Sequence, residues 1–483
     1  MSSASLAADR SDGGVHMRYR VALAAVVATG ACLRIAGASG SLWFDEIWSL
    51  QNLEGLSGPG GIFWDISQDN NHFLNSLWLW IAGPHALSVV QRAMSIAFGV
   101  ASILMAARIV YREAGPAGAL TAALFFAMSP ILVQYGSEAR GYSGMIFGLL
   151  WAFDALVRFV ARTDGDRPRL ELALGVAIGS LSHVQMAPAT IALVAAGVVC
   201  IALRTRDAGA TVRAAGNLGS AVLLGAAPVG LAIAAGVLNT HMIRFGDQTP
   251  FAVTLWAEGL AGAARETFGF PEILGSGGIL ICAFGVAAIA TVMLRDDFAI
   301  LTGALVFALL LAEAAARMPN VHIPRFHLAC AAGLLLLVAA GIARLWERPG
   351  ATRLAALALL AAFGIGAALD LAAFLRLGRG GYASIIRAMG SGLYATDAEI
   401  IAKRTIRFYA PRVGAHPEWV PQDHCDVLLD WFLHIDDNRN IAPPPPVMTS
   451  GPTACPTRFR FVESAPYSGL SGFRWSIYRR EGD

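Results

Sequence analysis

The sequence predicts an all-α polytopic membrane protein with about eleven transmembrane helices, interfacial helices on the outer surface and a small α+β domain at the C-terminal end. Three observations carry this prediction. Of 483 residues, 56% are hydrophobic and 14% charged, with a mean hydropathy of +0.56, whereas soluble domains average about 25% charged residues. The apolar residues form blocks about 20 long, the length that crosses a hydrocarbon layer of roughly 30 Å. Residues 376–483 are more polar and rich in turn residues.

The membrane part begins after a polar tail, residues 1–20, whose basic end is followed by no convincing small-residue cleavage site. We therefore predict a retained first span rather than a signal peptide. The predicted spans are residues 21–38, 91–109, 117–133, 143–160, 170–184, 186–203, 214–238, 275–294, 298–316, 325–344 and 354–375. Residues 73–90 are also apolar, but their Gly83-Pro84 break and their Trp78 and Trp80 favour a helix lying in the outer interface.

Arginines decide the predicted sidedness, because basic residues in short loops stay in the cytoplasm. With this assignment all of the following fall on the side of the N-terminus: Arg108, Arg112, Arg158, Arg162, Arg167, Arg169, Arg204, Arg206, Arg213, Arg295, Arg344, Arg348 and Arg353. The expectation is an inner-membrane protein with a cytoplasmic N-terminus, a transmembrane domain over residues 21–375 and a periplasmic or extracytoplasmic domain over residues 376–483. No basic cluster is interleaved with exposed aromatics, which excludes a nucleic-acid partner.

Two cysteines, Cys425 and Cys455, fall in the polar C-terminal region. In an oxidising compartment they could pair, but spacing alone leaves both the paired and the free state open.

The first outer loop, residues 39–90, carries Trp43-Phe44-Asp45-Glu46 just beyond the first span. A carboxylate at that depth is costly without a task or a partner. Partial desolvation raises the basicity of such a group, so a general base at the membrane surface is one interpretation. A solvated pair of loop acids is the other. Further along the loop, Asn71 and His72 suit a hydroxyl-rich ligand, or equally a turn and a helix cap.

The second outer loop, residues 134–142, presents Glu138, Arg140 and Tyr142 close to the bilayer. A Glu–Arg pair on a surface turn would be a common and weak feature, so a binding role is not required by this segment alone.

A late outer loop places His322, Arg325 and His327 at the start of the tenth predicted span. Arginine can hold a phosphate with two parallel hydrogen bonds, and histidine can add a donor. An arginine that reaches from a helix end to the interface is the alternative. His183, at the outer end of the fifth span, is a lone candidate for which a structural role is the simpler interpretation.

Taken together, these segments resemble the GT-C superfamily of integral membrane glycosyltransferases. The branch they look most like contains the protein O-mannosyltransferases and the lipid A aminoarabinose and galacturonic acid transferases. The Trp-Phe-Asp-Glu stretch of residues 43–46 carries most of the resemblance. Residues 70–72, the run 132–142 ending in Ser-Glu-Ala-Arg-Gly-Tyr, and Pro324-Arg325-Phe326 carry the rest.

The resemblance implies transfer of a sugar from a polyprenyl monophosphate to an acceptor hydroxyl on a lipid, glycan or protein at the outer membrane face, with inversion. It implies Asp45 as general base, helped by Glu46, and a donor phosphate bound by Arg325, Arg140 and His327. The substrate-binding residues implied are Trp43, Asn71, His72, Glu138, Tyr142, His183 and His322.

No cofactor is required by these motifs. A divalent metal ion held by Asp45 and Glu138 is an open alternative, because some members of the superfamily bind one through outer-loop acids. The rival function is a transporter or lipid flippase, which predicts ionisable residues near the middle of spans. The ionisable residues here fall mostly toward span ends, which favours chemistry at the surface.

Overall fold

A computed structural model describes residues 3–162, 166–244, 246, 248–294, 296–422, 428–436, 443–451 and 456–482. Cys425 and Cys455, for which a disulfide was left open, lie outside these ranges. The chain divides into two compact units. The first unit comprises residues 1–36, 56–82 and 91–370, and the second comprises residues 37–55, 83–90 and 371–483.

The first unit is helical throughout its apolar segments. Its helices are α1 (Ser3–Gly37, with Gly37 in the second unit), α3 (Gly61–Trp64), α4 (Phe73–Ala82), α6 (Ala93–Met128), α7 (Pro130–Tyr135), α8 (Tyr142–Arg162), α9 (Asp166–Ser182), α10 (Met186–Thr205), α11 (Ala208–Thr240), α12 (Val253–Phe268), α13 (Gly275–Leu294), α14 (Asp297–Gly303), α15 (Leu309–Ala315), α16 (Leu328–Glu347) and α17 (Ala351–Leu377, which ends in the second unit). Short 3-10 turns cover Glu272–Leu274 and Pro324–His327, and Ala304–Ala308 form a π-helical turn.

Eight helices in the described part of the chain are long and apolar enough to cross a membrane. They are Met17–Gly37, Ala93–Met128, Tyr142–Ala161, Met186–Thr205, Ala208–Thr240, Asp297–Ala315, Pro324–Glu347 and Ala351–Met389. The protein is thus a multi-pass membrane protein, and its fold class is as predicted. Each of the eleven predicted spans is mostly helical, although the number of crossings stays a prediction. One 36-residue helix, α6, covers most of the second and third, which are separated by non-helical backbone at Ala114 and Gly115 before Pro116.

The apolar segment 73–90 does not form one helix. Helix α4 ends at Ala82, Gly83 takes a positive φ of 82°, and a separate turn, α5 (Ser88–Gln91), follows. Ten residues of helix span about 15 Å, too short to cross a bilayer. The single interfacial helix predicted over residues 73–90 is therefore wrong in extent, because Gly83-Pro84 ends it, and the placement of α4 in the interface stays a prediction.

A buried carboxylate organises one end of the first unit. Asp154 is 1% exposed and forms ion pairs with Arg108, Arg112 and Arg158. Three arginines from the predicted inner loops thus gather at one helix end. A carboxylate buried this deeply needs such partners.

The second unit is built on a six-stranded mixed sheet. Its strands are β1 (Leu393–Thr396), β2 (Glu418–Trp419), β3 (Trp431–Asp436), β4 (Val447–Ser450), β5 (Thr457–Ala465) and β6 (Arg474–Arg480), in the order β2-β1-β3-β6-β5-β4. Strand β1 pairs in parallel with β2 and β3, and the remaining pairs are antiparallel. Helices α2 (Phe44–Asn52), α18 (Tyr382–Met389) and α19 (Glu399–Val413) complete the unit.

The core of this sheet forms from alternating apolar residues. Ala395, Phe432, Phe459 and Tyr478 are each at most 3% exposed and pack with Leu429. Each strand points every second side chain to one face, which buries this row. The small α+β domain predicted for the C-terminal residues is present, and the same compact unit also contains residues 37–55 and 83–90.

Candidate functional site

The predicted second outer loop is part of the interior of the first unit. Residues 130–142 are all buried, and residues 130–135 form the short helix α7, which begins at Pro130. Ser129 donates to the Thr267 carbonyl over 2.9 Å, and this contact ties the corner before α7 to α12. The surface turn we considered for Glu138 and Arg140 is therefore wrong, because packing against neighbouring helices buries both side chains.

Arg140 is the centre of a buried polar cluster, and only 6% of it is exposed. Its Nη2 donates to Asn70 Oδ1 over 2.8 Å, and its Nε donates to His72 Nε2 over 3.3 Å. Ser95 donates to the Arg140 carbonyl. The first and second outer loops, predicted separately from sequence, thus meet at this guanidinium.

Aromatic rings surround the same guanidinium. The rings of His72 and His183 stack with centroids 4.7 Å apart, and Tyr142 lies 4.7 Å from His183 and 5.0 Å from Tyr135. Arg140 lies over the Tyr142 ring at 5.0 Å. Such cation–π contacts hold a guanidinium in place without neutralising it.

Both histidines of the cluster are neutral near pH 7. Burial, and then His183, Arg140 and Arg325, lower the pKa of His72 well below its usual range. Burial, with Arg140 and Arg325, lowers the pKa of His183 to about 3. Two guanidinium groups therefore act on the same pair of rings. Arg140 and Arg325, which are separated by 185 residues in sequence, thus both disfavour a proton on His72 and on His183.

The two neighbouring asparagines have different tasks. Asn70 accepts from Arg140, whereas the Asn71 amide donates to the carbonyls of Ile62 and Ile66 and accepts from Ser76. Asn71 thus holds the loop. Asn70, which the sequence analysis did not single out, contacts the cluster. The predicted substrate contact of Asn71 stays a prediction.

His327 is buried, and both its ring nitrogens are engaged. Nδ1 lies 3.1 Å from Glu313 Oε2, and Nε2 lies 2.8 Å from the Val321 carbonyl. A phosphate contact by His327 would require one of these bonds to open, and this role stays a prediction. His322 lies in the same loop, and its Nδ1 is buried without a hydrogen-bond partner in the described structure.

Arg34 is a buried cation that the sequence did not single out. Arg34 of α1 is 1% exposed and donates to the carbonyls of Gly30, Phe126 and Ala127. Phe126 and Ala127 lie in the last turn of α6, whose final carbonyls have no partner within the helix. Arg34 therefore caps α6 just before the corner that leads to α7. An arginine within an apolar run was the available signal.

Asp45 and Glu46 belong to the second unit and lie in the first turn of α2. Glu46 is fully buried, and its Oε2 accepts from the Trp43 backbone N–H over 3.0 Å. This bond satisfies one of the free N–H groups at the start of the helix. Asp45, the next residue back, is partly exposed. The two adjacent carboxylates thus differ, since Glu46 is buried at the start of the helix while Asp45 is partly exposed.

A metal site was left open for Asp45 and Glu138. Within the described ranges, no three or more histidine, cysteine, aspartate or glutamate side chains are grouped so as to hold a metal ion.

No model of a known protein family matches the sequence, and no curated protein does. Solved structures do match. ArnT from Cupriavidus metallidurans bound to undecaprenyl phosphate superposes with a TM-score of 0.56 at 12% identity, over 94% of this chain and 97% of that one. The apo state of ArnT gives 0.54 over 97% and 98%. Archaeal oligosaccharyltransferase AglB from Archaeoglobus fulgidus, in complex with an inhibitory peptide and a dolichol-phosphate, gives 0.50 at 11% identity, over 86% and 69%.

These neighbours are GT-C superfamily glycosyltransferases. The chain has their fold, and the resemblance inferred from its motifs is confirmed at that level.

Proposed function

We propose that the protein is a membrane glycosyltransferase that moves a hexose or pentose from a polyprenyl monophosphate to an acceptor hydroxyl at the outer face of the inner membrane. The buried guanidinium of Arg140, held by Asn70 and by the neutral His72, carries this proposal, and Arg325 adds positive charge that lowers the pKa of both His72 and His183. Two guanidinium groups beside uncharged imidazoles attract an anion, and arginine matches the geometry of a phosphate. The fold supports it, since ArnT binds undecaprenyl phosphate in one of its structures and AglB binds dolichol-phosphate.

The reaction is a single displacement. The acceptor oxygen forms a bond to the anomeric carbon as the bond from that carbon to the phosphate oxygen breaks. The electron pair of the broken bond goes to the phosphate, and the hydroxyl proton goes to a base. The products are a glycoside of inverted configuration and a polyprenyl phosphate, whose charge Arg140 and Arg325 stabilise.

Asp45 is the proposed base. The support is its motif together with the local contrast in α2, where Glu46 is buried by its capping bond while Asp45 stays partly exposed. A partly exposed carboxylate can be reached by an acceptor hydroxyl and can take its proton. The proposed substrate contacts include Trp43, Glu138, Tyr142 and His322. A divalent metal ion at the site remains an alternative.

The test is sugar transfer by the purified protein from a panel of polyprenyl monophosphate sugars, with membrane extracts as acceptors. Arg325→Met should lower transfer about tenfold or more, because a charge-assisted hydrogen bond to phosphate contributes roughly 1.5–3 kcal/mol. Arg317→Met removes an exposed arginine from the same loop and should transfer like the wild type. Equal transfer by both variants would remove Arg325 from the site. Absence of transfer from every donor by folded wild type would favour the transporter or flippase.

A further inference from the structure

The helix that carries Asp45 packs against the C-terminal residues of the second unit. Tyr409 of α19 donates its hydroxyl to the Leu42 carbonyl over 3.0 Å, just before α2 begins. At the other end of α2, Arg404 donates to Gln51 Oε1 over 3.2 Å, and Gln51 donates back to the Arg404 carbonyl over 3.0 Å. Both ends of a nine-residue helix are thus held by one other helix.

The middle of α2 is held as well. The Arg404 guanidinium lies 4.8 Å from the centre of the Trp48 ring. Trp48 follows Asp45 by three residues, so the two side chains share one face of the helix. That face is partly exposed, whereas Glu46, Ile47 and Leu50 are buried. Arg404 therefore fixes the side chain next to Asp45 on its open face.

A third contact comes from the loop before β6. The ring of Phe473 lies 6.4 Å from Trp43 and 6.5 Å from Phe44. The Phe473 backbone N–H donates to the hydroxyl of Tyr382, which is itself buried. Trp43 and Phe44, at the start of α2, thus pack against the Phe473 ring, whose backbone is held by the hydrogen bond to Tyr382.

We infer that the C-terminal domain positions the proposed base: Arg404 and Tyr409 of α19 are positioning residues that hold α2, and with it Asp45, in one orientation. This inference rests on the proposed function of Asp45. Helix α19 packs against α18, which in turn packs against strands β5 and β6, and Lys403 of α19 lies over the ring of Trp419 in β2. A short helix of nine residues has little stability alone, so its orientation depends on these contacts. Misplacing a catalytic group by about 1 Å can cost on the order of a hundredfold in rate.

The first experiment uses the full-length protein and amide hydrogen exchange, which needs no activity. Arg404→Met and Tyr409→Phe should each raise exchange at residues 43–50 by about tenfold or more, while Arg404→Lys, which keeps the cation over Trp48, should lie between them and wild type. Arg407→Gln is the matched control, since it removes an arginine of α19 whose exposed partner, Glu54, lies beyond α2. Unchanged exchange in both test variants would overturn the inference.

The second experiment measures transfer. Arg404→Met should lower kcat about tenfold or more with the donor KM unchanged, because the donor phosphate is bound by other residues. Arg407→Gln should match wild type. A raised donor KM with unchanged kcat would contradict a positioning role. The two experiments separate the inference from the proposed function. If Arg404→Met and Tyr409→Phe raise exchange in α2 while the wild type transfers no sugar, α19 does hold α2 in place, and the proposed function is refuted.

Discussion

Two nitrogens of Arg140 approach one nitrogen of His72: both the Nε and the Nη2 of Arg140 lie within 3.3 Å of His72 Nε2. Since a guanidinium can only donate, that nitrogen must accept, and the proton of the neutral imidazole sits on Nδ1, toward the Ser182 carbonyl. A protonated His72 would place two donors face to face. The tautomer of one histidine thus determines the position of the guanidinium proposed to bind phosphate.

Replacement of His72 by phenylalanine removes this acceptor while it keeps a ring against His183. Of the pair His72 and Asn70, which both accept from Arg140, only Asn70 would then be left. A lost partner of a buried charged group costs about 1–3 kcal/mol, so His72→Phe should lower sugar transfer roughly 5- to 150-fold. His72→Gln, which still offers an acceptor, should retain more activity. Full activity of His72→Phe in the transfer assay would show that Arg140 does not need this contact.

Stability should fall in acid because of His183. Its pKa is lowered to about 3 in the folded protein, against about 6.5 when unfolded. Between those values the unfolded chain binds more protons, so the free energy of unfolding decreases as pH falls below about 6.5, by up to about 1.4 kcal/mol per pH unit. Thermal unfolding in detergent at pH 7 and pH 5 measures this. His183→Gln should reduce the difference, and His85→Gln, at an exposed position, should not. An equal difference in all three proteins would contradict the neutral state of His183.

The position of Arg34 leaves no room for a methyl group at Gly99. A Cβ at Gly99 would lie 2.5 Å from Arg34 Nε, and the three carbonyl partners of Arg34 hold it in place. Gly99→Ala should therefore destabilise the protein by about 1–3 kcal/mol, as overpacking does. Gly216→Ala is the control, because nothing lies within 4 Å of its Cβ and alanine favours a helix by about 0.5–1 kcal/mol. Equal unfolding temperatures for the two variants would mean that Arg34 can move.

The sequence predicted well what depends on local pattern. Apolar blocks located the membrane helices, whereas the interfacial helix predicted over residues 73–90 is interrupted after Ala82. The motif residues Asp45, His72, Arg140 and Arg325 were singled out because charged and polar residues beside apolar runs are rare, and their roles stay predictions.

What depends on contacts between distant segments could not be predicted. Asn70 and Asn71 are chemically identical, and only the fold assigns Asn70 to Arg140. The packing of α2 against α19 joins residues more than 350 positions apart, and no period or composition encodes it. Burial of residues 134–142 likewise follows from helix packing, since the segment itself reads as a polar loop.

Asp45→Asn removes the proposed base with almost no change in shape. Transfer from the productive polyprenyl phosphate donor would be compared for wild type, Asp45→Asn and the control Glu54→Gln, which removes an exposed carboxylate from the same unit. General base catalysis contributes about a hundredfold to ten-thousandfold, so we expect a loss of that size in Asp45→Asn and none in Glu54→Gln. Transfer that survives Asp45→Asn in a folded protein would contradict the assignment of Asp45 as the base.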